Sequence, residues 1–83
     1  MTFAPTTTYV VDVTTADKQE LMSALTDVSG ITYVQDGGVY RQDAAYSQVH
    51  IQALNAVWSL SGLDELLYSL NYAVVGIVVV ERT

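Results

Sequence analysis

Alternating β-branched residues over Thr7–Val13, a turn-forming Asp36-Gly37-Gly38 and leucine-rich segments at helical spacing predict an α+β sandwich. One four-stranded antiparallel sheet then carries helices on a single face. Eighty-three residues hold one domain. A chain this short buries only about 60–65% of the surface it exposes when unfolded, so its stability is marginal without further support.

Residues 1–6 read as a flexible lead-in containing Pro5, and 7–83 as the domain. In Thr7–Val13, Tyr9, Val11 and Val13 share one face and Val10 and Asp12 the other, the pattern of a half-buried strand. Thr14 and Asp17 have capping-box spacing, and Leu21, Met22, Leu25 and Val28 recur every three to four residues, giving a helix over 16–28. Gly30 ends it by supplying a left-handed residue. Ile31–Gln35 is a second strand, Asp36-Gly37-Gly38 a hairpin turn and Val39–Gln42 the returning strand.

The segment 44–60 fits two periods. Ser47–Gln52 alternates polar and apolar like a strand, but Gln48, Gln52, Asn55 and Ser59 also form one helical stripe opposite Tyr46, Val49, Ala53, Val57 and Leu60. The longer match favours a helix interrupted near Ser61-Gly62. A short helix over 63–70 follows, with Leu63, Leu66, Leu67 and Leu70 on its face and Asn71 closing it. Tyr72–Glu81 is the last strand. Two split βαβ units around a central hairpin make a ferredoxin-like βαββαβ arrangement with strand order 4-1-3-2.

Composition removes several functions. With no cysteine there is no disulfide, thiolate nucleophile or Cys-based zinc site, which suits a reducing, cytoplasmic setting. Nine acidic residues against Lys18, Arg41 and Arg82 give a net charge of −6, opposing nucleic-acid and anionic-membrane binding. The longest nearly unbroken apolar run, Tyr72–Val80, is well short of the roughly 20 residues of a membrane helix. No cofactor-binding loop is present, since Gly37-Gly38 has no helix directly after it.

His50 is the only imidazole, and no carboxylate lies at helical spacing from it, so no metal site is expected. Asp64 and Glu65 point about 100° apart on a helix and suit its dipole better than a catalytic pair. Asp12 interrupts the apolar pattern of a central strand. It reads as a solvated sheet residue or, with Tyr9 and His50, as a polar group in a ligand cavity. Six tyrosines and Trp58 fit core packing better than a binding hot spot, with Tyr33 and Tyr40 as cross-strand neighbours.

The last strand carries the functional expectation. Ala73, Val75, Ile77 and Val79 alternate with Val74, Gly76, Val78 and Val80, and both faces are apolar. At a sheet edge, such a strand invites another chain. The expectation is a small acidic, non-enzymatic accessory, regulatory or inhibitory protein. It acts as a homodimer through its sheet, with Val74, Gly76, Val78 and Val80 at the interface. The alternatives are a dimeric α+β barrel enclosing a small hydrophobic ligand or performing cofactor-free catalysis, and an acidic nucleic-acid mimic; a viral or mobile-element source suits the size.

Overall fold

Strand β1 (Thr6–Thr14) runs through the middle of the sheet and sets its two faces. The computed structural model describes residues 5–72 and 74–82, the side chains of residues 81 and 82 excepted. Most of the expected lead-in lies outside the described residues, but Pro5 accepts a hydrogen bond from the Asn55 N–H and Thr6 is already paired with Leu54. Helix α1 (Lys18–Thr26), strands β2 (Ile31–Val39) and β3 (Tyr46–Leu54), helix α2 (Leu60–Ser69) and strand β4 (Val74–Arg82) complete the βαββαβ order. The sheet reads β2-β3-β1-β4, antiparallel throughout, which is the ferredoxin-like arrangement.

Thr7, Tyr9, Val11 and Val13 of β1 are buried beneath the helices together with Ser47, Val49, Ile51 and Ala53 of β3. Leu21 and Leu25 of α1 and Leu63 and Leu67 of α2 close over them. Each of these leucines contributes about 1.5–3 kcal/mol by leaving water. Ser47 is fully buried, and its hydroxyl is paired at 2.8 Å with that of Thr15, which also donates to the Ala44 carbonyl at 2.7 Å. Both helices begin differently from the expectation. Asp17 occupies the first cap position, and α2 starts at Leu60, ahead of the expected residue 63, with Ser59 as its cap accepting from the Gly62 N–H at 3.1 Å.

Two expected elements are corrected. The helix over 44–60 is instead strand β3 through Leu54, followed by a turn that delivers Ser59 as the α2 cap. Pairing with β1 on one side and β2 on the other satisfies nearly every backbone group of the segment, and nonlocal pairing of this kind overrides a local period. The turn at Asp36-Gly37-Gly38 is a bulge inside β2, and the chain reverses over residues 40–45. Gly38 has φ +91°, and its N–H donates to Asp36 Oδ1 at 2.8 Å. That N–H first, and Lys18 at 3.0 Å second, hold the Asp36 carboxyl below its ordinary range. Tyr33 and Tyr40 are consequently not cross-strand neighbours, since Tyr33 pairs with Gln52 and Tyr40 lies beyond the end of β2.

The α1–β2 connection depends on Gly30. Its φ is +88°, and a β-carbon there would come within 2.5 Å of Val57 Cγ1. The half-buried Trp58 packs beside it and donates its indole N–H to the Ser29 carbonyl at 2.8 Å. Gly30→Ala combines left-handed strain with overpacking and is expected to cost about 2–4 kcal/mol. Urea unfolding checks this, and a loss under about 0.5 kcal/mol, the size of an ordinary surface effect, would refute the assignment.

Candidate functional site

The sheet face opposite the helices is built by the residues that β1 turns outward. Thr8, Val10 and Asp12 are half-buried there, and the register aligns Gly76, Asp12, Gln48 and Gly38 in one row and Val78, Val10, His50 and Gln35 in the next. The face is divided along its length. Its β2–β3 half presents Tyr33, Gln35, Gln48, His50 and Gln52, and its β1–β4 half presents Thr8, Val10, Asp12 and Val78, with the two valines side by side.

Strand β4 is an edge, and among the described residues no strand covers its outer side. Two register shifts interrupt its pairing with β1, so that Val75 and Val80 are the unpaired extra residues. These two are 65% and 58% exposed, and Val78 is 55% exposed. The shift at Val75 also moves Val74 to the other face, where it pairs with Val13 and packs against the core with Ile77 and Val79. Of the four residues expected at one interface, Gly76, Val78 and Val80 therefore remain on the accessible side, and Val74 does not. A β-carbon added at Gly76 would meet nothing within 4 Å.

Asp12 anchors a polar corner at the end of this face. Tyr40 donates its hydroxyl hydrogen to Asp12 Oδ1, and Gln48 Nε2 donates to the Tyr40 hydroxyl oxygen at 3.0 Å. The bond to Asp12 is the main reason the Tyr40 phenol is raised above its ordinary pKa, because ionising it would place two anions together. Beside the pair lies an open depression of about 180 Å³ lined by Asp12, Tyr40, Gln42, Asp43, Tyr46 and Val75. A second depression, about 590 Å³, runs between the end of α2 and the start of β4 and shares Val75 with the first.

The three candidate cavity residues do not converge. Tyr9 is 3% exposed beneath the helices, on the opposite face from Asp12 and His50. His50 lies against the Gly37 backbone, where a β-carbon would come within 2.5 Å of the ring, and its Nε2 is buried without a hydrogen-bond partner among the described residues. Among the described residues no three of His, Asp and Glu come together as a metal-binding group. None of their helices is long and apolar enough to cross a membrane. Read from the sequence, Tyr40 belongs to a strand and Gln48 to a helix, which hides their convergence on Asp12. The break that Asp12 makes in an apolar strand is the one sequence signal at this corner.

Compared with protein-family models, curated proteins and solved structures, the chain matches none.

The raised Tyr40 pKa fixes a sign for alkaline stability. The folded chain favours the neutral phenol, so this contribution is whole below the unfolded tyrosine value of about 10 and is lost as pH rises through the folded one. Tyr40→Phe and Asp12→Asn are each expected to flatten the fall in melting temperature above about pH 10. Parallel alkaline curves for wild type and both variants would show that the Tyr40–Asp12 bond does not form.

Proposed function

We propose that this chain is a non-enzymatic protein-binding domain of a reducing compartment that acts as a homodimer through the β4 edge and the adjoining row of Val10 and Val78 on the open face. The observation that carries the reading is the exposure of Val75, Val78 and Val80 along an uncovered sheet edge. Such an edge offers unpaired backbone groups together with apolar surface, the combination that recruits a further strand.

A second copy is the occupant that charge favours. Each chain carries −6, so two copies repel unless they meet where charge is absent, and residues 74–80 contain none. A two-fold axis sets this strip against itself antiparallel, so that one patch serves both partners. Area bears on the geometry. Four strands of about nine residues make a face of about 19 by 30 Å, roughly 570 Å². A standard interface needs about 800 Å² from each partner. The face alone falls short, so the edge and its projecting valines contribute as well.

Equilibrium sedimentation at micromolar concentration is expected to give twice the chain mass. Val78→Glu places a carboxylate on the open face and is expected to halve that mass with the circular dichroism preserved. Val79→Glu drives a charge into the core beside Tyr9 and is expected to unfold the chain, since an unpaired buried charge costs several kcal/mol of a total near 5–15. Gly76→Ala adds a methyl group that meets nothing within the chain, so it should keep the fold and weaken the dimer. A wild-type chain that sediments at single mass over the whole concentration range ends this reading.

A further inference from the structure

We propose that the depression beside Asp12 is a binding site for a small organic cation, an alkylammonium or guanidinium group, either free or carried on a basic side chain. The reading does not rest on dimerisation: its residues come from β1, the 40–45 loop and the start of β3, and Val75 is the one lining residue it shares with the proposed dimer strip.

Its walls supply what such a cation needs. Asp12 and Asp43 bring two carboxylates, and Tyr40 and Tyr46 bring aromatic surface, which attracts cations through the negative face of the ring. The volume, about 180 Å³, is below the roughly 300–1,000 Å³ of pockets that hold drug-sized ligands, so it suits a head group. Tyr40 is fixed between Asp12, to which it donates, and Gln48, from which it accepts. The Asp43 carboxylate is held in the loop by the Ala45 N–H at 3.1 Å. Wall residues anchored in this way need little reordering on binding.

Among the described residues no basic side chain lines this corner. Lys18 pairs instead with Asp36, on the side of the sheet that carries the helices. Arg41, although adjacent in sequence to Tyr40, does not line the depression and makes no ion pair among the described residues. Two carboxylates beside aromatic rings, in a concave site whose described lining holds no basic residue, are complementary to a positively charged ligand.

Amide chemical shifts of the full chain, titrated at constant ionic strength, test this. The probes are methylguanidinium, butylammonium and the capped tripeptide acetyl-Gly-Arg-Gly-amide, with butanol and butyrate as controls. Saturable shifts confined to residues around Asp12, Tyr40, Tyr46 and Val75 are expected with the cations and absent with the controls. Asp12→Asn should weaken binding about tenfold, the loss of one charge-assisted contact. Tyr46→Ala, at an exposed position, should weaken it without disturbing the fold. Saturation by the two small cations as well as the tripeptide assigns the site to free amines, and saturation by the tripeptide alone assigns it to a basic side chain. Shifts that grow without saturation, spread over all the carboxylates, or persist unchanged in both variants would overturn the proposal. A chain that sediments at single mass can still give saturable shifts at this corner, so the dimer and the cation site fail separately.

Discussion

The period-two alternation of β1 is the constraint on which the molecule rests. This strand pairs with β3 and with β4, so its backbone is held on both sides and its register cannot drift cheaply. Its buried parity is Thr7, Tyr9, Val11 and Val13, which form the floor beneath both helices. A slip of one residue would send Asp12 into that floor and Val11 and Val13 out of it. The penalty for burying an unpaired carboxylate therefore fixes the register, and the register places Thr8, Val10 and Asp12 on the open face. The surface features proposed as functional are thus consequences of core packing.

Bulges then decide what the edges present. In β4 the extra residues are Val75 and Val80, and the regular stretch between them is only Gly76–Val79. A strand pairing there gains few backbone hydrogen bonds, so an associating chain depends on the valine side chains as well. The opposite edge, β2, is also bulged, but there the device brings in Asp36, Gly37 and Gly38 and the pairing of Asp36 with Lys18. A charge and glycines in mid-edge, as at Asp36-Gly37-Gly38, resist strand addition, whereas the uncharged stretch 74–80, with its charges held back to Glu81 and Arg82 at the strand end, does not.

The helices and the central strand were legible in the sequence because their apolar residues are local and periodic. Leu21, Leu25, Leu63 and Leu67 are read and found on the buried faces, as are Tyr9, Val11 and Val13. β3 was not legible, because Gln48, His50 and Gln52 alternate for too few residues before Asn55–Ser59 continues the polar spacing at a helical step. Only its two strand neighbours decide the matter. The element order nevertheless came out correctly, since a returning strand was expected after the glycines and one does return, several residues later. The misplacement of Val74 has the same origin as that of the glycines. A bulge adds one residue to the count, and strict parity read from a sequence has no means of detecting it.

Association and cation binding, as proposed, share a border at Val75 but respond to salt in opposite directions. Bringing two chains together doubles a net charge of −6, so the repulsion opposing a dimer is relieved as the screening length falls below about 10 Å near 0.1 M salt. The contact itself is apolar and loses nothing to screening. A cation held by Asp12 and Asp43 at an exposed corner is weakened by the same ions, because its attraction is what they screen. Neutralising that corner would also lower the charge each chain carries into the dimer. A bound cation therefore favours association through the field of the whole molecule, with no movement of the sheet required, and the size of that effect falls with distance from the Asp12 corner and with ionic strength.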